Sequence, residues 1–343
     1  MLGKWDIDMK KNKTRLSCHL TKSNSNWVNE LKSIAAAWLH HSLSAHLMMG
    51  TEAVASVTTC GYRISAKFEK PIISGIIGGE PASITEFPWH VAILSEGQYL
   101  CGGTILSEWW ILTASHCFIK ASSSNLSIVH GTDDFSIPNL MEVKVDKLII
   151  HSDFDSWILD NDIALLLLQS PLSLDVNNVP ICLSKVTDVQ RWNGCLVTGW
   201  GTHGSLETPG TPNSKLHKVD LNLIRWDRCF RDLPLVTKNM LCAGNSQGGK
   251  DSCKGDSGGP LICHKKNNNS IWYQLGIISW GVQCGNKDFP GVYTKVSNYL
   301  SWIVKETKKA GKPYLHQPDS GYSLFLSPWA TLFLYFVILL LSF

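Results

Sequence analysis

Three short segments of the chain carry side chains that together could perform nucleophilic catalysis. Ser257 lies among glycines in residues 255–260, His116 lies beside a cysteine, and Asp162 precedes an apolar run. A serine hydroxyl becomes an effective nucleophile when an imidazole takes its proton and a carboxylate orients that imidazole. The glycines let the backbone turn so that amide groups point at a developing oxyanion. The pattern therefore predicts Ser257 as nucleophile, His116 as base and Asp162 as orienting acid.

Each segment alone has a simpler interpretation. The glycine-flanked serine could be a surface turn, His116 could be a packed core residue, and Asp162 could cap a turn. The segments in the order His, Asp, Ser, however, resemble the chymotrypsin/trypsin family of serine proteases. The resemblance covers residues 76–306. It implies an all-β fold of two six-stranded antiparallel β-barrels with a C-terminal helix and the triad in the cleft between the barrels.

The resemblance also implies how substrate is bound. The backbone amides of Gly255 and Ser257 would form the oxyanion hole, and Asp251 would lie at the base of the primary specificity pocket. A carboxylate in a pocket walled by glycine should pair with a basic side chain, because burying either charge alone is unfavourable. The expected substrates are therefore proteins or peptides cut after Arg or Lys, with protease inhibitors as further partners. The remaining substrate-binding positions are Ser279, Trp280, Gly281 and Gly291.

Activation is the point at which the chain departs from the family pattern. Ile76 resembles the N-terminus that zymogen cleavage creates, and its amine would pair with Asp256. In trypsin-like zymogens a basic residue precedes this isoleucine, whereas here Gly75 does. A protease of different specificity would have to cut after Gly75. The alternative is a catalytically silent cell-surface binding protein that keeps the protease fold.

Composition and charge exclude several other classes of function. Of the 343 residues 44% are hydrophobic and 17% are charged, which is enough apolar material to bury a core. The net charge of +3, without a basic cluster interleaved with aromatics, argues against nucleic acid as a partner. No Cys/His grouping has metal-ligand spacing, so we expect no metal and no cofactor.

Eleven cysteines indicate an oxidising compartment, because cytosolic proteins rarely carry so many. The sequence does not determine their pairing. The resemblance implies that a fifth bond ties the propeptide to the protease domain, in addition to four within it, and it leaves Cys18 over. The implied bonds are Cys60–Cys182, Cys101–Cys117, Cys195–Cys263, Cys229–Cys242 and Cys253–Cys284.

From Pro88 onward, short β-branched or apolar runs alternate with turn residues, which is typical of a sandwich or barrel. Residues 299–310 carry apolar side chains at helical spacing, with Lys308 and Lys309 near the end of this stretch and Gly311 directly after it. This pattern predicts a terminal helix. The predicted strands include residues 89–94, 142–151, 163–168, 196–200, 219–224, 273–280 and 292–296.

The segments outside the protease domain have distinct compositions. Residues 1–59 are polar and are not expected to fold, residues 60–75 form the propeptide linker, and residues 307–323 read as a stalk. The almost wholly apolar residues 324–343 are long enough to cross a bilayer. They fit a single-pass helix or, as we favour from the preceding Asp-Ser-Gly, a GPI-addition signal.

Either interpretation of the apolar tail places the protein at the cell membrane, on the extracellular face. N-glycan acceptor sequons begin at Asn125 and Asn268. Both lie in polar stretches, as an accessible acceptor would.

Overall fold

The computed structural model describes residues 60–63, 78–120, 125–201, 213–252 and 255–316. Several of the predictions fall at least partly outside these residues. They include the segment 1–59, most of the linker 60–75, the activation residue Ile76, the Cys253 half of one disulfide, the end of the stalk 307–323 and the apolar tail 324–343. Within the described residues, no helix is both long and apolar enough to cross a membrane.

The first barrel is a closed ring of six antiparallel strands in the order β2-β3-β4-β7-β6-β5, closed by pairing of β2 with β5. Every residue of β4 and β7 is buried, in keeping with their apolar sequences Trp-Ile-Leu-Thr and Ala-Leu-Leu-Leu-Leu. The strand β1 (Glu80–Pro81) belongs to the other sheet. The strands of the ring are β2 (His90–Ser95), β3 (Gln98–Ile105), β4 (Trp110–Thr113), β5 (Leu126–Val129), β6 (Glu142–Ile150) and β7 (Ala164–Leu168).

The second barrel has the same architecture. Its ring runs β9-β10-β11-β14-β13-β12 and is closed by pairing of β12 with β9. β1 adds to β10, and the short β8 (Cys182–Leu183) pairs in parallel with β13. The ring strands are β9 (Trp192–Gly199), β10 (His217–Ile224), β11 (Met240–Gly244), β12 (Pro260–Lys265), β13 (Asn268–Trp280) and β14 (Gly291–Lys295). Two closed six-stranded antiparallel barrels confirm the predicted fold class.

In the part of the chain that the structure describes, two α-helices accompany the barrels. The sequence did not predict α1 (Trp226–Asp232), which is only seven residues long and buries Cys229. The terminal helix α2 (Leu300–Lys309) is confirmed, and it is followed by Ala310 and then by Gly311, whose φ of +78° suits glycine. Residues 307–309, assigned from the sequence to the stalk, belong to this helix. The chain beyond it still packs on the first barrel, since the Trp110 Nε1 donates to the Lys312 carbonyl at 2.6 Å.

Four disulfides cross-link the described residues, in the pairs that the resemblance implied. They are Cys60–Cys182, Cys101–Cys117, Cys195–Cys263 and Cys229–Cys242, with Cα–Cα distances of 5.0, 6.3, 4.1 and 6.3 Å. Cys284 is also disulfide-bonded, and its implied partner Cys253 lies outside the described residues. The first of these bonds ties residues 60–63, predicted to be part of the propeptide, to β8.

Candidate active site

Asp162 is fully buried. It accepts hydrogen bonds both from the candidate base His116 and from side chains on two strands of the second barrel. Its carboxylate accepts from the His116 backbone N–H at 2.8 Å and from the His116 Nδ1 at 2.6 Å. The Ser279 hydroxyl, at the end of β13, donates to the same carboxylate at 2.5 Å, and the Thr294 hydroxyl donates to the Asp162 carbonyl at 2.7 Å. A proton on Nδ1 leaves the Nε2 of His116 as a base. Such a carboxylate can both orient the ring and stabilise the imidazolium.

A short 3₁₀ turn, Ser115–Phe118, carries His116 directly after β4. The Ser115 hydroxyl donates to the Ile163 carbonyl at 2.7 Å, which ties this turn to the residue after Asp162. The sequence did not predict this contribution, because a serine beside a histidine does not indicate which carbonyl its hydroxyl will meet. The sequence also did not predict the contact of the Thr294 hydroxyl with Asp162, since a threonine within a strand does not indicate which segment it will contact.

Ser257 lies on a tight loop whose glycines are required by its geometry. Gly255 and Gly258 have φ values of +95° and +77°, which L-residues rarely adopt. A Cβ on Gly258 would also collide with the Thr113 hydroxyl. The Ser257 carbonyl accepts from the Gly102 N–H of β3 at 2.8 Å, so the first barrel holds the loop of the second.

Asp256, beside the candidate nucleophile, is almost fully buried. Its Oδ1 accepts from the Gly201 N–H at 2.8 Å. Gly199 and Gly201 surround this carboxylate so closely that a Cβ on either would collide with it. Ile76, its expected partner after activation, lies outside the described residues.

The candidate specificity pocket is a cavity of about 270 Å³. It brings together Ser257 with all five residues predicted to bind substrate, namely Asp251, Ser279, Trp280, Gly281 and Gly291. A Cβ on Gly291 would come within 2.9 Å of the Asp251 Oδ1, so a larger residue there would obstruct the floor. The glycine walls thus leave room for a long side chain.

Asp251 is only 5% exposed, and one of its oxygens is satisfied by the protein. Its Oδ2 accepts from the Gly285 N–H at 3.1 Å, whereas Oδ1 is buried without a hydrogen-bond partner among the described residues. Burial raises the pKa of Asp251 to about 6, although backbone hydrogen bonds from Gly285 and Ser252 oppose the shift. A cationic ligand group would satisfy Oδ1 and favour the charged carboxylate.

One cluster of potential metal ligands occurs near the site in the described part of the chain: Cys101, His116 and Cys117. The two cysteines are bonded to each other, so this cluster offers no thiolate. His116 already has the Asp162 carboxylate as its partner. The arrangement therefore suits acid–base chemistry rather than metal binding.

The two glycosylation candidates are exposed in the structure. Asn125 precedes β5, and Asn268 begins β13, where its Oδ1 accepts from the Ser270 N–H at 2.9 Å. Exposure makes both amides accessible. Their modification stays a prediction.

Comparison with protein-family models finds a match to the model described as Trypsin over residues 76–303. The matched span is more than half of the chain, and it contains His116, Asp162 and Ser257.

Proposed function

The chain belongs to the trypsin family of serine proteases, and on that premise we propose that it is an endopeptidase that cleaves after Arg or Lys at the cell surface. Proteins or peptides are the substrates of this family. The observation that carries the specificity is the buried Asp251 Oδ1, which faces a glycine-walled cavity without a partner among the described residues. A guanidinium or ammonium group would supply the missing donor.

The proposed reaction proceeds through an acyl-enzyme. Ser257 attacks the scissile carbonyl carbon while His116 takes its proton through Nε2 and then gives it to the leaving amine. Water attacks the acyl group in the second half-reaction, again with His116 as base. The amides of Gly255 and Ser257 are proposed to stabilise the oxyanion in both steps, and loss of one such donor typically costs about 10²–10³ in rate.

The experiment that tests catalysis uses the full chain with residues 71–75 replaced by an enteropeptidase site, so that cleavage exposes Ile76. A fluorophosphonate probe should then label the cleaved protein. Labelling should be absent from the uncut chain and from Ser257→Ala. Cleaved protein that fails to label would contradict the enzyme and leave the silent binding protein.

The experiment that tests specificity is a peptide library offered to the same cleaved protein. We expect cleavage after Arg and Lys, and its loss in Asp251→Asn. A library cut equally well after Phe or Glu would contradict the role of Asp251 while leaving the protease activity intact.

The proposal places the protein on the extracellular face of the membrane. Four disulfides within the described residues support an oxidising compartment, and the apolar residues 324–343 are proposed as the anchor or its signal. Treatment of expressing cells with phosphatidylinositol-specific phospholipase should release a GPI-anchored protein. Retention on the cells after that treatment would instead indicate a transmembrane helix, and a protein found in the cytosol would contradict the proposed location.

A further inference from the structure

The strand β3 of the first barrel contacts the catalytic loop of the second barrel at two points. The Tyr99 hydroxyl donates to the Gly255 carbonyl at 2.6 Å, and the Gly102 N–H donates to the Ser257 carbonyl at 2.8 Å. Two residues of one strand, Tyr99 and Gly102, thus contact the two residues whose amides are assigned to the oxyanion hole. One of these contacts comes from a side chain and can be removed without altering the backbone.

The two oxyanion amides differ in how the loop itself restrains them. The N–H of Ser257 shares a trans peptide plane with the Asp256 carbonyl, which accepts from the Gly259 N–H at 3.0 Å. That hydrogen bond therefore also fixes the direction of the Ser257 N–H. Gly255 lacks the steric restraint that a Cβ provides, and its φ is +95°. The orientation of the peptide between Gly255 and Asp256 therefore depends on the partner of the Gly255 carbonyl, which is the Tyr99 hydroxyl.

The surroundings of Tyr99 hold its hydroxyl in place. The ring packs against Phe135 and Trp200, with centroid distances of 5.9 and 6.3 Å. Burial raises the pKa of Tyr99 well above its usual value, and the nearby carboxylate of Asp256 raises it further. The phenol therefore keeps its proton at neutral pH, and it stays a hydrogen-bond donor.

We propose that Tyr99 is a positioning residue. Its hydrogen bond fixes the peptide plane after Gly255 and so restrains the backbone rotations of this glycine, which set the direction of the Gly255 N–H toward the oxyanion. The inference rests on the proposed function, because the oxyanion is that of the serine protease reaction. Tyr99 does not line the candidate specificity pocket, and its hydroxyl contacts the backbone of the loop. Its contribution should therefore appear in the chemical step and not in substrate binding.

The test replaces Tyr99 by phenylalanine in the full chain carrying the enteropeptidase site. This change keeps the ring packed and removes one hydroxyl. We expect Tyr99→Phe to lower the rate of fluorophosphonate labelling about tenfold, less than the loss of an oxyanion donor itself. With the best peptide substrate, kcat should fall by the same factor and KM should stay unchanged. Tyr314→Phe, a buried tyrosine on the segment after α2, is the matched control and should label normally.

A second readout does not need catalysis. Hydrogen exchange of the backbone segment 255–257 should be faster in Tyr99→Phe than in the parent protein, and unchanged in Tyr314→Phe. If the parent protein never labels, the proposed function fails and the exchange rates alone decide the role of Tyr99. Unchanged exchange, or a variant whose KM rises while kcat is kept, would overturn the inference.

Discussion

His90 is a histidine that the fold holds in its neutral form. It is 1% exposed, its Nδ1 lies 2.5 Å from the Thr198 hydroxyl, and its ring packs beside Trp200 at 4.9 Å. Burial lowers the pKa of His90 from 6.5 to about 3. The unfolded chain therefore binds a proton at pH values where the folded protein does not. The stability that comes from this difference is complete above pH 6.5 and is lost as the pH falls toward 3.

This burial of a neutral His90 makes the stability of the protein sensitive to acid. Between pH 6.5 and 3, proton uptake by His90 in the unfolded chain lowers the unfolding free energy by about 1.4 kcal/mol per pH unit. In His90→Gln, which cannot take up a proton, the loss of stability from pH 7 to 4.5 should be smaller by about 2–3 kcal/mol. Urea unfolding of both proteins at the two pH values measures this. An identical pH dependence would show that His90 is not the responsible group.

Asp251 gives a second prediction at the same scale. Its pKa of about 6 means that the pocket floor loses its charge as the pH falls through 6. We expect kcat/KM for an Arg substrate to fall in this range more steeply than for a substrate with an uncharged side chain at the same position. Asp251→Asn should remove the difference and lower kcat/KM for the Arg substrate by roughly 10²–10³, as expected for an unpaired buried cation. Equal pH profiles for the two substrates would contradict an ion pair in the pocket.

The chemistry-bearing residues could be predicted from the sequence because they stand in short local motifs. The carboxylate of Asp162 does meet His116, and the five predicted substrate-binding residues share one cavity with Ser257. Residues that act through tertiary contact, such as Tyr99 and His90, carry no local signal, since their partners lie more than 100 positions away in the chain.

At the scale of the elements, alternating and apolar runs were enough to find most long strands. β6 was predicted as residues 142–151 and observed as Glu142–Ile150. β3 was not named in advance because Gly102 and Gly103 interrupt its apolar pattern, and glycine is depleted in strands. The helix α1 spans only two turns, too few for periodicity to be recognised.

Gly102, one of these two glycines, also lies where β3 of the first barrel approaches the loop of Ser257. A Cβ on Gly102 would lie 3.0 Å from the Gly259 Cα and 3.1 Å from the His90 Nε2. We therefore predict that Gly102→Ala costs about 1–3 kcal/mol of stability and slows fluorophosphonate labelling, because β3 must move away from the loop. Thermal unfolding and labelling rates measure the two effects. Gly97→Ala, whose Cβ would enter open space, should be strained by its φ of +76° yet label normally.

At the scale of the whole molecule, the bond Cys60–Cys182 links the segment predicted to be the propeptide to the protease domain. Residues 60–63 are also fixed by backbone contacts, since the Gly61 N–H donates to the Pro180 carbonyl at 2.8 Å and its carbonyl accepts from Trp272 at 2.9 Å. The Arg63 guanidinium lies 4.1 Å over the Trp272 ring. Cleavage before Ile76 should therefore not release the N-terminal part.

This predicts the behaviour of the cleaved protein on gels. After cleavage by enteropeptidase, the protein should migrate as one species without reductant and as two chains with it. In Cys60→Ser with Cys182→Ser, two chains should separate under both conditions. Separation of the parent protein without reductant would show that this disulfide does not form in the expressed protein.

The attachment of the segment after α2 has a mechanical consequence. The Trp110 indole holds the Lys312 carbonyl, the Lys312 ammonium lies 3.7 Å over the Trp109 ring, and Tyr314 is buried. Trp110 begins β4, the strand that leads directly into the turn carrying His116. Tension applied to the chain beyond residue 316 would be transmitted to this strand first. If the proposed membrane anchor holds the chain here, a pulling force would act on the strand that precedes the proposed base His116 before it strained the loop of Ser257.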